Sequence, residues 1–418
     1  MQARPDRLDV YFGRNLVGTV HDSEPLAFEY APGWLGASQP MTLAAIGLQP
    51  GRQTTPAVQA FFENLLPEGE LRDYLAAQRK ASTLFALLRE VAGDTAGAFV
   101  LLGPGQAPEP ADYEATTWEA IAAILARRAA SAIDIHEPGA RISLAGAQDK
   151  TSIALFDDGI PRLPKHTSPS THILKPNIRR LAKVWHSAAN EAIAMRAAGL
   201  AGLPVAEVFY EPRTEACVVR RFDRQLRPDG TLMRLVQYDL CQLAGTLSER
   251  KYEKEGGPGL AACAELIRRY STQPAVDLRH LVRWVFFNLY LGNNDSHAKN
   301  LSIYSVPGQG VTLTPFYDLM CTRLYPGLSA EFALAIGGEV RPGEMRAEHL
   351  ALMAGQLGMQ PRYLAQQAQE MADRVPSAIG QAAREIAPAL TPSALTLAKR
   401  LERFVLSNTR KLASRLSA

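Results

Sequence analysis

The chain has 418 residues, 47% of them hydrophobic and 21% charged, which is long for one ordinary domain and rich enough in apolar side chains for two or three cores. With 45 Lys and Arg against 42 Asp and Glu the net charge is +3, a balance that excludes a disordered tail protein and disfavours a nucleic-acid binder working mainly by counterion release. Cys217, Cys241, Cys263 and Cys321 are dispersed without a C-x-x-C pair, so neither a zinc site nor a disulfide framework is expected. The first residues carry charges where a secretory signal needs an apolar stretch. No apolar run approaches the roughly 18 residues of a membrane helix. A soluble, cytoplasmic protein without a membrane partner is expected.

In chain order, 8–12 alternates, Gly13, Arg14 and Asn15 supply turn chemistry, and 16–20 resumes, which predicts a β-hairpin; 26–30 adds a strand. Over 57–80 the period becomes helical, with Phe61, Phe62, Leu65 and Leu66 on one side as core residues, and Pro67 and Gly69 interrupt it. A second helix is expected over 82–91 with Ser82 as its N-cap. The Pro/Gly-rich run 103–110 marks a boundary. A helix follows over 118–130, then short strands at 142–144, 152–156, 172–175, 205–210 and 216–221, with a helix at 188–198 between them. Beyond 237 the pattern is helical apart from strands at 301–304 and 311–313, and 348–418 has the spacing of packed surface helices. The expected fold is α+β, with a small head (1–105), a strand-rich lobe (106–236) and a helical lobe (237–418).

Chemistry concentrates in four segments. Asp295 and Asn300 stand five apart in a polar loop between apolar elements, the spacing of a proton-accepting carboxylate and a metal-coordinating carboxamide in a kinase catalytic loop. Asp318 follows a short strand 23 residues later, where a second hard-oxygen metal ligand is expected. Leu319 and Met320 stand where the kinase motif has Phe and Gly, which argues against a typical activation-segment switch. Lys175 ends an apolar strand from which an ammonium can meet phosphate, and Glu191 on the next helix can hold it extended. The small-residue turn ISLAGAQDK (142–150) can offer backbone N–H groups to an anion, although a plain hairpin turn explains it nearly as well. The order of these parts is that of a kinase.

The strings FFENLLPEGELRDYLA (61–76), ISLAGAQDK (142–150), THILKP (171–176), NE (190–191), RRFDR (220–224), QYDLCQ (237–242), KYEKEGGPG (251–259), GNNDSHAKN (292–300) and LTPFYD (313–318) resemble the HipA family of toxin serine/threonine kinases. The resemblance spans 61–318, and the opening VYFGRNLVGTV looks like the family's N-terminal subdomain. It implies a protein-kinase-like two-lobed fold, similar to phosphatidylinositol-kinase-type enzymes. Asp295 would be the catalytic base, Asn300 and Asp318 the metal ligands, and Lys175 the phosphate-contacting lysine supported by Glu191. Ala145, Gly146, Ala147, Gln148, Asp149 and Lys150 would line the triphosphate. Tyr238, Asp239 and Leu240 would form the hinge that meets adenine through its backbone, and His297, Ala298, Lys299, Asn300 and Tyr317 would complete the pocket. Ser143 would be autophosphorylated and thereby inactivate the enzyme. ATP and Mg2+ are the implied cofactors. A HipB-like helix-turn-helix antitoxin is the implied partner, through which alone DNA is met, and an aminoacyl-tRNA synthetase, first the glutamyl enzyme, is the implied substrate.

A small-molecule or lipid phosphotransferase on the same fold, or a non-catalytic co-repressor of a DNA-binding partner, are the competing readings. Arg179, Arg180 and Lys183 read either as a solvated face or as a loop meeting an acidic substrate or substrate-bound RNA. Arg220 and Arg221 beside Asp223 read as a structural ion pair.

Overall fold

The computed structural model describes residues 6–66, 72, 76–77, 81, 83–91, 94–130, 150–179, 181 and 183–417. The expected turn and strand at 142–149, with Ser143 and Ala145 to Asp149, lie outside the described residues, as do Pro67, Gly69, Ser82 and Arg180.

The hairpin forms as Arg7–Phe12 against Asn15–His21, with Gly13 in the left-handed region (φ 57°) at its turn. Ala27–Tyr30 and Arg52–Gln53 extend it on one side. On the other side Phe99–Leu102, unexpected from the sequence, pairs antiparallel with Arg7–Phe12. The sheet is packed by the helix Pro56–Glu63 through Phe61 and Phe62. That helix ends at Asn64, whose amide donates to the Ala60 carbonyl (2.7 Å) and to the Thr246 carbonyl (2.9 Å).

A second antiparallel sheet runs Val208–Glu211, Ala216–Arg220, His172–Lys175, Thr151–Ile153. Val219 and Ile173 lie opposite each other in this register. The small antiparallel sheet Gln237–Asp239, Ser302–Val306, Gly310–Leu313 is continuous with the helical part of the molecule. Arg224–Leu226 and Leu232–Arg234 form a further hairpin, as Tyr113–Ala115 and Arg162–Pro164 form a ladder; neither pairing was expected.

The helix Ser187–Leu200 is alanine-rich and buried along most of its length, which lets it lie between the second sheet and the long helix Pro361–Ile386. Leu260–Tyr270, Pro274–Leu291, Ala347–Gln356 and Pro392–Ser417 complete the helical body. Most of the apolar interior is one contiguous cluster running from the head sheet into this body. The fold is mixed α+β. No described helix is long and apolar enough to cross a membrane.

The head is joined to the rest by buried polar contacts. Arg221 donates to Asp223 (2.9 and 2.7 Å), Asp94 (3.1 Å), Ser170 (3.1 Å) and the Thr95 carbonyl (2.8 Å). Burial works against the Asp94 carboxylate, but the guanidinium groups of Arg221, Arg224 and Arg234 outweigh it and hold its pKa well below the usual range. Arg221 is thus the structural ion-pair residue expected. Arg220 is not: its side chain points outward and meets exposed Glu207 instead.

Candidate active site

Lys175 sits at the end of its strand, opposite Cys217 on the neighbouring strand. Its ammonium lies 2.5 Å from Glu191 Oε1 and 2.7 Å from Asp318 Oδ1. Both Lys175 and Glu191 are buried, 4% and 2% exposed. Burial opposes the Lys175 charge, yet the Asp318 and Glu191 carboxylates raise its pKa above the ordinary lysine value. Burial pushes Glu191 up in spite of its lysine partner. For Asp318 burial again favours the neutral acid, but Lys175 and then Lys150 prevail and hold it well below the carboxylate range. The two carboxylates thus favour the charged form of the lysine and fix its ammonium at two points.

Asp318 has φ 61°, a left-handed conformation that costs a non-glycine residue about 1–2 kcal/mol. The strain is held from both sides. Strand Gly310–Leu313 is pinned where the Leu313 N–H donates to Asp277 Oδ2 (2.9 Å). Beyond it, Asn190 accepts from the Cys321 N–H (3.0 Å) and donates to the Cys321 carbonyl (3.0 Å). Strained backbone over-determined in this way is a frequent mark of functional positions.

The helix Pro274–Leu291 ends at Gly292, whose φ of 77° turns the chain into the loop that carries Asp295. A side chain there would also collide with Phe404, since a Cβ would lie 2.7 Å from its ring. Within the loop Asn293 Oδ1 accepts from the Asp295 N–H (3.2 Å). Asn294 donates its N–H to Thr322 Oγ1 (2.8 Å) and its amide to the Ser329 carbonyl (2.9 Å). The loop is thereby tied to the segment following Asp318. Asp295 projects outward, its side chain 52% exposed. Asn300 donates its Nδ2 to the Asp295 carbonyl (2.9 Å), which orients the amide and leaves its oxygen as the end able to meet a cation.

These groups border one cavity of about 620 Å³. Ile173, Val219, Leu65, Ala96 and Phe222 give it apolar walls, and Lys150, Lys175, Asp295, His297, Asn300, Tyr317 and Asp318 its polar end. An apolar slot beside a fixed cation, a carboxylate pair and an exposed carboxylate can hold a flat ring and a polyanion together. One carboxylate and one carboxamide oxygen, Asp318 and Asn300, are a donor set suited to Mg2+, which keeps waters and takes phosphate oxygens for the remainder of its shell.

Not every expected residue meets the cavity. Tyr238 turns into the head core, its ring against Phe61 and Phe99 and its hydroxyl donating to the Thr42 carbonyl (2.7 Å). The Leu240 side chain is fully buried and its N–H is taken by the Leu301 carbonyl (2.9 Å). Of this stretch Gln237 and Asp239 line the cavity, and the side chains of Tyr238 and Leu240 turn away from it. Ala298 is wholly buried. Lys299 does line the cavity. Its ammonium is buried and donates to Asn64 Oδ1 (2.7 Å), the Asn64 carbonyl (3.0 Å) and Asp239 Oδ2 (2.9 Å). These contacts tie the loop to the end of the helix Pro56–Glu63. Tyr317 borders the cavity while its hydroxyl donates to the Lys299 carbonyl (3.0 Å). Tyr252, to which no role fell in the sequence, donates to Asp295 Oδ1 (2.5 Å); only its place in the string 251–259 marked it.

Residues 8–102 match the HipA N-terminal domain and 142–379 the HipA-like C-terminal domain. The putative kinase Y4mE of Sinorhizobium fredii is 37% identical over 84% of this chain and 86% of its own. The serine/threonine-protein kinase toxin HipA of Shewanella oneidensis is 29% identical over 90% of this chain and 88% of its own. Among solved structures, the complex of HipA, HipB and operator DNA from Shewanella oneidensis MR-1 holds a chain that superposes with a TM-score of 0.81 at 26% identity, covering 98% of each chain. With a family domain matching more than half of its length, the chain belongs to the HipA family of serine/threonine kinases.

Proposed function

We propose that the chain is an ATP- and Mg2+-dependent protein serine/threonine kinase and the toxin of a HipBA-type toxin–antitoxin module in the cytoplasm. The observation that carries this reading is the convergence of Lys175, Glu191, Asp318, Asn300 and Asp295 on one cavity with an apolar wall. Lys175 holds phosphate oxygens with a charge that Glu191 and Asp318 keep in place. Asp318 and Asn300 would hold the divalent cation, which when bound would neutralise charge on the phosphates. Asp295 accepts the proton of the acceptor hydroxyl as that oxygen bonds to the γ-phosphorus and ADP leaves. Phosphoryl transfer needs positioning and charge stabilisation more than covalent help, and these residues supply both.

The finer assignments belong to the same reading. The acceptor is a seryl hydroxyl of an aminoacyl-tRNA synthetase, the glutamyl enzyme first, so that transfer halts translation. A HipB-like helix-turn-helix protein is the partner and the link to DNA, in keeping with the Shewanella complex. Ser143 is an autophosphorylation site whose added charge repels ATP. The chain divides into units at about 1–105, 106–236 and 237–418. Transfer of label from γ-labelled ATP, with Asp295→Ala as control, tests the core of the proposal. Labelling in the wild type that Asp295→Ala loses is expected; equal labelling by both removes Asp295 from the mechanism.

A further inference from the structure

The loop 251–259, KYEKEGGPG, is folded tightly around Gly257 and Gly259. A Cβ at Gly257 would lie 2.1 Å from the Arg250 carbonyl oxygen, and one at Gly259 would lie 2.4 Å from Glu253 Oε1. The Gly257 N–H donates back to the Tyr252 carbonyl (2.9 Å), and the Ala335 N–H donates to Glu253 Oε2 (2.6 Å). Tyr252 is thus carried on a rigid support at the rim of the cavity. Its ring stands edge-on to His297, with centroids 5.2 Å apart. Its hydroxyl donates to Asp295 Oδ1 at 2.5 Å, and His297 Nε2 is 3.8 Å from the same oxygen. Among the described residues no hydrogen bond reaches Asp295 Oδ2.

A carboxylate that is half exposed on a loop can rotate, and a rotating base is a poor one. Engaging one oxygen fixes the carboxylate plane and presents the other to the acceptor. We propose that Tyr252 is a positioning residue for phosphoryl transfer: by holding Asp295 Oδ1 it directs Oδ2 at the acceptor hydroxyl. The proposal rests on the kinase reading above and adds a residue to it.

Tyr252→Phe removes the donor and keeps the ring against His297. The rate of self-labelling from γ-labelled ATP is measured for wild type, Tyr252→Phe, Asp295→Asn and the double variant, with thermal unfolding of each. The maximal rate of Tyr252→Phe is expected to fall roughly tenfold to a hundredfold, with the ATP concentration at half-maximal rate and the unfolding midpoint unchanged. On the residual rate of Asp295→Asn the phenylalanine is expected to have no further effect, because a residue acting through another is not additive with it. A wild-type rate for Tyr252→Phe, or an equal loss in both backgrounds, overturns the role of Tyr252 while leaving Asp295 as base. A wild-type rate for Asp295→Asn overturns the kinase assignment of Asp295, and Tyr252 with it.

Discussion

Lys299 Nζ lies 2.7 Å from Asn64 Oδ1, across 235 residues of sequence. The residue preceding Asn300 is therefore anchored to the end of a helix in the head. The Asn64 carbonyl, at that helix's C-terminus, is also an acceptor (3.0 Å), where a cation is favoured by the helix dipole. Next to it, Glu63 accepts from the Ser248 N–H (2.8 Å) and hydroxyl (2.5 Å). Leu65 and Asn64 then continue into the cavity wall. The head thus supports the same loop that carries Asp295 and Asn300.

Replacing Lys299 by Met should leave the buried Asp239 carboxylate without its cation and cost about 3–5 kcal/mol. Asn64→Ala removes one of three acceptors and should cost about 1–3 kcal/mol. Denaturant midpoints of the two variants give this order. An unchanged midpoint for Lys299→Met would show that these buried contacts do not stabilise the fold.

Asp318→Asn should keep the fold, because Asn is among the few residues that tolerate the left-handed backbone found at this position (φ 61°). The amide holds a hard cation far less well than a carboxylate and no longer neutralises Lys175. Transfer should fall by roughly 10²–10³-fold, with a partial return at high Mg2+ concentration. Unaltered turnover at ordinary Mg2+ would remove Asp318 from the metal site.

How much of this was legible depends on how local each signal is. Asp295, Asn300, Asp318 and Lys175 stand at element ends within short polar strings, and their spacing alone assembled a kinase order of parts. The hairpin 8–20 announced itself by alternation around a turn. The strand Phe99–Leu102 did not, since it is buried on both faces and so reads as a plain apolar run. Lys299 was expected only to complete the pocket; its bonds to Asn64 and Asp239 were not legible because those acceptors are distant in sequence. Tyr252 likewise meets Asp295 only through the tertiary fold. Tyr238 shares a string with the cavity residues Gln237 and Asp239, but strand alternation turns it the other way.

His172 should make stability depend on pH. Burial, with Arg220 adding to it, pushes its pKa down to about 4, against roughly 6.5 in an unfolded chain. Between those values the unfolded state binds a proton that the folded state refuses, so stability rises with pH. The contribution is complete above about pH 6.5 and is lost as pH falls towards 4, with no further loss below. The span is of the order of 3 kcal/mol. His172→Leu should flatten the unfolding midpoint across this window; an unchanged slope would show that other groups set it.

Arg221 and Arg220 are neighbours in sequence and should respond oppositely to lysine. The Arg221 side chain is 1% exposed, and its five N–H groups meet five acceptors in Asp223, Asp94, Ser170 and Thr95. Lysine has three donors and no planar fork, so some of those buried acceptors must go unmet. Leaving even one or two buried polar groups without partners costs about 1–3 kcal/mol each. Arg220 pairs with Glu207 at the surface, where the side chains are 61% and 74% exposed. Such pairs contribute about 0–1 kcal/mol, and lysine can replace the cation. Arg221→Lys should therefore lower the denaturation midpoint clearly and loosen the head against the second sheet, read as faster proteolysis of the chain near 94–97. Arg220→Lys should stay within about 0.5 kcal/mol of wild type. Equal midpoints for the two variants would show that the Asp94 cluster does not hold the head in place.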